Sequence, residues 1–400
     1  MGHRNVTPLY KKTFLFGMGF VFFVSMLLFL LEWRNHGINL PDFEVYYRSA
    51  LRLLNGDNLY RIESDGHFIF KYSPACAMMF IPFTIFAFPV AKILYWIFLT
   101  GITAYTFFLC IELAKPGLYS KSASKFNLYI FIMTLSLGLF LYREFMLGQV
   151  NLVLFLSYLL AIRFYQKKRF IPTAIVLAAG IMFKPWGFIF IPYFLIKKDF
   201  KVILYFALFS VLIALAPIIF YGYSDLIEQT GRWIHELMVE LGNKQVLGSD
   251  ANHTIFSVIY RYSPLRFIEI AGLWQLIYQL IVLLLLAILV LIFIFNGSEL
   301  KQSEIANGAL LIGLMPLIAQ PSYNAFLLVA LALTIVLVYF KQMPKWGKIV
   351  FISGAILMAG NYNDLWGTEL SDWFLDLSLV AIGAIFVLIL LFFLRFKRIA

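Results

Sequence analysis

Long uninterrupted runs of apolar residues constrain this chain more than any other feature. Lipid offers the backbone no hydrogen-bonding partners, so a run that crosses a bilayer must be helical and needs about 20 residues. The chain is 62% hydrophobic and only 13% charged, whereas soluble proteins carry about 25% charged residues. The runs do not alternate in polarity, as the strands of a membrane β-barrel would. The sequence therefore predicts an all-α polytopic membrane protein.

About twelve transmembrane helices are predicted if the run Pro74–Phe88 lies on the outer surface. The short inner loops then hold most of the Lys and Arg residues, as the positive-inside rule expects, and both termini are cytoplasmic. If Pro74–Phe88 also crosses, the count is odd and the termini lie on opposite sides. Prolines within and beside this run favour a broken surface segment. The predicted spans are Thr13–Leu31, Ile93–Leu113, Asn127–Leu141, Leu152–Arg163, Ile171–Phe183, Gly187–Ile196, Val202–Phe220, Gln275–Phe295, Ile305–Ala319, Ala325–Phe340, Ile349–Ala359 and Phe374–Leu394.

Composition and missing motifs exclude several classes of protein. The net charge of +11 is expected to face the cytoplasm and anionic lipid headgroups, so no nucleic acid partner is predicted. Cys76 and Cys110 lie in apolar segments, so no disulfide framework follows. The sequence has no P-loop, no dinucleotide-binding glycine motif, no HExxH and no CxxC. The first apolar run lacks a small-residue cleavage site and is predicted to be a retained span.

Asp42 opens the first predicted outer loop, in Leu-Pro-Asp-Phe-Glu-Val-Tyr-Tyr. Pro followed by Asp is typical of a helix start, and the apolar positions up to Leu54 favour an amphipathic helix lying on the membrane. Asn55-Gly-Asp57 is expected to end this helix. Asp42 is then either a helix cap or a carboxylate held at the headgroup plane as a general base. Downstream, Phe70-Lys-Tyr-Ser-Pro74 is either an interfacial anchor or a basic and aromatic rim over a lipid-linked phosphate.

Two further polar stretches are predicted at the outer ends of spans. Arg143 and Glu144 could neutralise each other, and Gln149 and Asn151 could form hydrogen bonds between helices or bind a substrate. Lys184 lies between two short apolar runs and is followed by Pro185. Its ammonium could reach the interface as a snorkelling side chain or bind a phosphate at headgroup depth. We favour the phosphate, because the other charged candidates share that side of the membrane.

The second large outer loop contains a third polar stretch, Gly248-Ser-Asp-Ala-Asn-His-Thr254, followed by Arg261. Such a loop is usually solvated. Asp250 and His253 together are too few ligands for a metal site. Asn252, His253 and Arg261 are therefore kept as candidates for binding an acceptor.

The ordered motifs resemble the GT-C membrane glycosyltransferases, and most closely glycosyltransferase family 87, whose members are similar to polyprenyl-phosphate-mannose-dependent mannosyltransferases. The resemblance rests on Asp42 and its helix, on Asn55-Gly-Asp-Asn-Leu-Tyr60, and on Phe70-Lys-Tyr-Ser-Pro74. Leu147-Gly-Gln-Val-Asn151 and Phe183-Lys-Pro185 are similar to the family's Gly-Gln-x-Asn and Lys-Pro motifs. It covers roughly residues 13–220. Ser73 stands where the family has proline, and Ser322-Tyr-Asn324 lacks an expected Trp and His.

The resemblance implies a GT-C-like helical bundle with amphipathic helices in its extracytoplasmic loops. Residues 1–220 would form the catalytic transmembrane module, with its first extracytoplasmic loop at 32–73. Residues 221–274 would form another extracytoplasmic loop, and residues 275–400 the C-terminal membrane helices. The protein would be a multi-pass protein of the plasma or inner membrane, with its active site on the extracytoplasmic face.

The implied reaction transfers a hexose, with mannose the first candidate, from a polyprenyl-phosphate donor to a glycolipid or glycan acceptor, with inversion. Asp42 would be the general base, with Glu44 and Glu144 in reserve. The donor phosphate would meet side chains from four segments: Lys184, Lys71, Arg143, Tyr72, Gln149 and Asn151. No cofactor is implied, and a divalent metal stays an open alternative. The competing class is a transporter or lipid flippase, but such proteins usually place polar residues near the midplane.

Overall fold

The computed structural model describes residues 8–35, 37–66, 69–243, 246–296, 303–319 and 323–396. These residues form helices and connecting turns and contain no β-strand, so the predicted all-α class is confirmed. The first ten helices are α1 (Pro8–Asn35), α2 (Pro41–Asn55), α3 (Pro74–Met78), α4 (Ile81–Thr84), α5 (Phe88–Ala114), α6 (Leu118–Lys121), α7 (Ala123–Leu147), α8 (Asn151–Gln166), α9 (Phe170–Phe183) and α10 (Phe190–Ile196). The remainder are α11 (Phe200–Leu215), α12 (Ile218–Asn243), α13 (Ile255–Arg261), α14 (Gly272–Asn296), α15 (Ser303–Ile318), α16 (Ala330–Val338), α17 (Lys345–Ala359), α18 (Asn363–Trp366), α19 (Thr368–Asp376) and α20 (Leu379–Phe396).

Apolar helices of spanning length confirm a polytopic membrane protein. Within the described ranges, five segments are long and apolar enough to cross a bilayer: Leu15–Asn35, Phe88–Ala114, Ala123–Leu147, Gly272–Phe295 and Leu379–Phe396. The helices α11 and α12 form a sixth candidate only as a pair, and they are bent by 97°. Shorter apolar helices occupy Asn151–Gln166, Phe170–Phe183, Pro185–Ile196, Ser303–Ile318 and Tyr323–Val338.

The structure corrects several predicted bounds. The run Pro74–Phe88 contains the short helices α3 and α4, far below the roughly 20 residues that a spanning helix needs. The predicted span Val202–Phe220 ends early, at Leu215, because the chain turns sharply before Pro217. The predicted span Phe374–Leu394 is broken at Ser378, whose φ of 49° lies in the left-handed region.

The chain divides into two compact units. We name them the Asp42 unit, Phe22–Thr106 with Tyr142–Lys244, and the Asn252 unit, Met1–Val21 with Phe107–Leu141 and Gln245–Ala400. In the Asp42 unit, α9 packs against both α8 and α11, and α2 packs on α3 and α4.

In the Asn252 unit, α20 packs along α17 and also contacts α15 and α16. A Cβ added to Gly383 would lie 2.6 Å from the Gly354 carbonyl oxygen. Only glycine therefore permits this close approach of α17 and α20, as is common between membrane helices.

Helix α2 ends as predicted, because Gly56 adopts a φ of 75° and its N–H closes the last turn. The apolar face predicted to lie on the membrane consists of Val45, Ala50, Leu51 and Leu54. Val45 and Ala50 are buried against protein, which contradicts the prediction for them, whereas Leu51 and Leu54 are exposed. The helix is thus held by protein contacts, which fixes the orientation of its first turn.

Candidate active site

Asp42 lies in the first turn of α2, directly after Pro41 at the helix start. The next residue, Phe43, is fully buried, and its ring stacks on that of Tyr95 with 4.2 Å between centroids. This aromatic contact anchors the N-terminal end of α2. Asp42 is consequently held in one place on a packed helix end, as a catalytic carboxylate requires.

The turn between α7 and α8 brings Gln149 to Asp42. Gly148 has a φ of 69°, which favours glycine, and a Cβ here would come within 2.7 Å of the Phe43 Cβ. Glycine therefore allows the turn to lie directly against α2. The side-chain amide Nε2 of Gln149 donates a hydrogen bond to Oδ2 of Asp42. The sequence predicted Gln149 near the donor phosphate, and the structure gives it the acid as a partner.

Glu144 is completely buried near the end of α7. Its Oε1 accepts a hydrogen bond of 2.5 Å from Nδ2 of Asn151, and its Oε2 accepts one of 3.3 Å from the backbone N–H of Leu152. A buried carboxylate is costly unless such donors satisfy it. The first turn of α8 supplies both of them.

Lys184 joins this network from the end of α9. Its ammonium donates a hydrogen bond of 2.7 Å to Oδ1 of Asn151, and it also lies 4.6 Å from the centroid of the Trp186 ring. Asn151 thus links the buried acid Glu144 to the cation with its two amide ends. The predicted polar stretches at 143–151 and 184 therefore meet in one network.

The segment Phe70–Pro74 is attached to the same end of α9. The backbone N–H and the hydroxyl of Ser73 both donate to the carbonyl oxygen of Met182, at 3.3 and 2.8 Å. The Tyr72 hydroxyl accepts a hydrogen bond of 3.1 Å from the Tyr46 hydroxyl. The serine that replaces the family's proline therefore provides an N–H that proline lacks. It ties this segment two residues ahead of Lys184.

Electrostatics distinguish Asp42 from an ordinary surface carboxylate. Burial raises the pKa of Asp42 above its usual value, and three neighbours oppose this rise: the Gln149 hydrogen bond and the charges of Lys184 and Lys71. Burial likewise raises the pKa of Tyr72, and the charge of Asp42 raises it further. Opposite charges lower the pKa of a carboxyl group, so the charges of Lys71 and Lys184 both act on Asp42. The hydrogen bonds of Gln149 to Asp42 and of Lys184 to Asn151 attach Asp42 and Lys184 to the same turn, two residues apart.

The remaining candidates on this side have different surroundings. Glu44 forms an ion pair with Arg48 one helical turn along α2, and Arg48 also bonds Asp65 at 3.4 Å. Arg143 is exposed, unlike the neighbouring Glu144. Sequence reasoning did not single out Tyr46 or Tyr95. Tyr46 could have been found, because it lies four residues after Asp42 and shares a face of α2 with it.

The acceptor candidates are clustered in the Asn252 unit. Asn252 Oδ1 accepts hydrogen bonds from the N–H and hydroxyl of Thr254 at 3.1 and 2.7 Å. The His253 ring nitrogen Nδ1 lies 3.1 Å from the hydroxyl of Ser378, which also bonds Arg261. Burial lowers the pKa of Arg261. Among the described residues, no group of three or more His, Cys, Asp or Glu side chains is placed to hold a metal ion.

The sequence model of glycosyltransferase family 87 matches residues 70–321, which is more than half of the chain. The chain belongs to glycosyltransferase family 87. Membership selects a sugar-transferring enzyme over the transporter alternative and agrees with the resemblance found in the motifs. Neither the curated proteins nor the solved structures contain a match.

The family 87 match covers some of the candidate residues and leaves others outside. Lys71, Gln149, Lys184 and Arg261 lie inside the matched range. Asp42 lies before the matched range, and only its own geometry supports it as a site residue. Its bond to Gln149, a residue inside the match, connects it to the family region.

Proposed function

We propose that this family 87 glycosyltransferase transfers a hexose, with mannose the first candidate, from a polyprenyl-phosphate donor to an extracytoplasmic glycolipid or glycan. The observation that carries this proposal is a partly buried carboxylate joined to a cation through one short segment: Gln149 bonds Asp42, and Asn151, two residues on, bonds Lys184. The charges of Lys184 and Lys71 also lower the pKa of Asp42. A base and a phosphate-binding cation in one place suit the attack of a hydroxyl on a sugar phosphate.

In the proposed reaction, Asp42 accepts the proton of the acceptor hydroxyl as its oxygen bonds to the anomeric carbon. The bond from that carbon to the phosphate oxygen breaks, and its electron pair leaves with the polyprenyl phosphate. Lys184, supported by Lys71, stabilises the negative charge that develops on this leaving group. A single displacement inverts the configuration of the anomeric carbon. Protons and charge balance without a further reactant.

Glu144 is less suited than Asp42 to act as the base. Both of its oxygens accept hydrogen bonds, one from Asn151 and one from the backbone of Leu152, and it is completely buried. We assign it the role of orienting Asn151, which in turn holds Lys184. Glu44 is engaged with Arg48 at the surface of α2. It serves better as the matched control for Asp42.

The topology belongs to the same proposal. We place both termini in the cytoplasm and the Asp42 network on the extracytoplasmic face of a plasma or inner membrane, as the distribution of basic residues favours. The short helices α3 and α4 support a surface position for the segment 74–88, which gives an even number of crossings. Asn252, His253 and Arg261 stay candidates for the acceptor side.

A transfer assay with the full-length protein in lipid nanodiscs tests this function. Radiolabelled polyprenyl-phosphate mannose is supplied with an extract of envelope glycolipids, and wild type is compared with Asp42→Asn and Glu44→Gln. We expect label in the acceptor with wild type and Glu44→Gln, and a loss of about 100- to 10,000-fold with Asp42→Asn, the usual contribution of a general base. Transfer from a nucleotide sugar in place of the lipid donor would overturn the proposed donor class. Equal transfer by both variants would remove Asp42 as the base.

A further inference from the structure

Helix α12 leaves the end of an apolar helix almost at a right angle. Helix α11 exposes apolar side chains such as Leu204 and Val211, at 67% and 56% of their surface, as a helix in contact with lipid does. At Ala216–Pro217 the chain bends by 97° into α12, and the non-helical backbone of Gly222, with a φ of 71°, then separates the first turn of α12 from its continuous part, residues 223–243. If α11 follows the membrane normal, α12 runs along the membrane plane.

One face of α12 is attached to the loop that follows α2. Gln229 and Glu236 are almost completely buried although both are polar. The side chain of Gln229 accepts a hydrogen bond of 3.1 Å from the backbone N–H of Leu59, and Glu236 forms an ion pair with Arg61. This face therefore packs on the rest of the Asp42 unit through these polar contacts and through Leu226, which is buried beside them.

A second face of α12 exposes a stripe of apolar side chains. The exposed fractions are 71% for Tyr223, 55% for Ile227, 46% for Ile234 and 66% for Met238. These positions share one side of a helix, because 3.6 residues make a turn. Beside the stripe runs an exposed polar edge, formed by Ser224, Glu228, Arg232 and His235.

The arrangement differs from that in a helix on a water-soluble protein, which buries its apolar face and exposes its polar one. Here the buried face contains Gln229 and Glu236 as well as Leu226, and a separate stripe of large apolar side chains is exposed. The medium outside the stripe must then be apolar, whereas the adjacent polar edge requires water or headgroups. A helix in the membrane interface meets both conditions at once.

We propose that α12 lies in the outer-leaflet interface and that its stripe, Tyr223, Ile227, Ile234 and Met238, contacts lipid acyl chains. The right-angle exit from α11 and the apolar surface that continues across the bend identify bilayer lipid as the occupant. The buried face then ties the loop at Asp57–Arg61, and through it α2, to the depth of the headgroups. The lipid contact is independent of the proposed function; only the assignment to the outer leaflet rests on its topology.

Spin labels in nanodiscs test this placement with the full-length chain. Single cysteines are introduced by Tyr223→Cys, Ile227→Cys and Met238→Cys in the stripe, and by Glu228→Cys and His235→Cys as matched controls on the polar edge. The native Cys76 and Cys110 are buried, and an unsubstituted chain gives the labelling background. Relaxation is then compared between oxygen, which concentrates in lipid, and a water-soluble nickel chelate.

We expect the stripe labels to relax more with oxygen than with nickel, and the control labels to show the opposite order. Labels at Tyr223 and Met238 should report depths within a few ångströms of each other, because a helix lying in the plane keeps its ends level. A difference approaching about 22 Å, the rise of 15 helical residues, would show a crossing helix and overturn the proposal. Stripe labels reached by nickel as readily as the controls would show water there, and labels shielded from both reagents would show a protein partner. Either result would overturn the lipid contact.

Discussion

The Asp42 unit and the Asn252 unit each contain a polar cluster, and the two clusters differ in what their side chains bind. In the Asp42 unit, side chains bind other side chains: Gln149 donates to Asp42, and Lys184 donates to Asn151. In the Asn252 unit, Ser378 bonds the side chains of His253 and Arg261, but further partners are backbone atoms. Arg261, for instance, donates to the carbonyl oxygens of Leu375 and Ser249.

In our proposal, this difference distinguishes a cluster that carries out the reaction from a cluster that holds a loop in place. A side chain that binds carbonyl oxygens holds a turn in place and has few donors left for a ligand. A partly buried carboxylate such as Asp42 has a shifted pKa, and such groups concentrate at functional sites. The two clusters look alike in the sequence, where both are short polar stretches between apolar runs. Their partners distinguish them, and the following experiments test that distinction.

The largest effect after the loss of the base is expected from Lys184→Met. Removing one group that stabilises developing negative charge commonly costs about 100- to 1000-fold in turnover, and Lys184 is the cation joined to Asn151. The measurement is single-turnover transfer from saturating donor in nanodiscs. Lys167→Met, at an exposed position after α8, is the matched control and should retain wild-type transfer. An equal loss of transfer in both variants would indicate an effect of net charge and would contradict a specific role for Lys184.

The pH dependence of transfer should shift when Gln149 is replaced by Leu. The pKa of Asp42 is raised by burial, and the Gln149 hydrogen bond lowers it. The base works only when ionised, so transfer increases as the pH rises through this pKa. Without the hydrogen bond the pKa rises further, and the acid limb of the profile of kcat against pH moves to higher pH. An unchanged limb in Gln149→Leu, with normal transfer at high pH, would show that Asp42 is not the titrating group.

A smaller effect, on stability and not on catalysis, is expected from Asn252→Ala. This change removes hydrogen bonds to Thr254 and Val246, and unsatisfied buried groups cost about 1–3 kcal/mol. The melting temperature in detergent should fall. The kcat of the folded fraction should stay within about twofold of wild type, because Asn252 is not part of the Asp42 network and its loss should leave the activation free energy nearly unchanged. A tenfold rise in the KM for acceptor with an unchanged melting temperature would support the acceptor role. It would contradict a purely structural role for the Asn252 cluster.

The fold class and the site were predictable from the sequence to different degrees. Apolar runs fixed the all-α membrane class, because lipid permits few alternatives. The breaks at Pro217 and Ser378 were missed because hydropathy does not register a turn inside an apolar run. Helix α2 was predicted correctly in extent, but its whole apolar face was placed on lipid although Val45 and Ala50 are buried, since an apolar face does not reveal whether protein or membrane covers it.

The site residues were found as separate motifs, and their connections came from tertiary structure. Nothing in the sequence indicates that Asn151 bonds Glu144 with one end of its amide and Lys184 with the other. Gly148 is the residue from which a tertiary contact could have been predicted, because a glycine beside polar residues often marks a close backbone approach. Here it allows the turn to lie against Phe43.

A double-mutant cycle of Asp42→Asn and Lys184→Met tests most directly whether the base and the cation act in one site. Single-turnover transfer is measured for wild type, both single variants and the double variant in the same nanodiscs. Because the charge of Lys184 lowers the pKa of Asp42, part of the loss in Lys184→Met comes from Asp42 itself. We predict that Lys184→Met costs at least several-fold less in the Asp42→Asn background than in wild type, as is usual for groups that act together. An equal cost in both backgrounds would contradict a shared site.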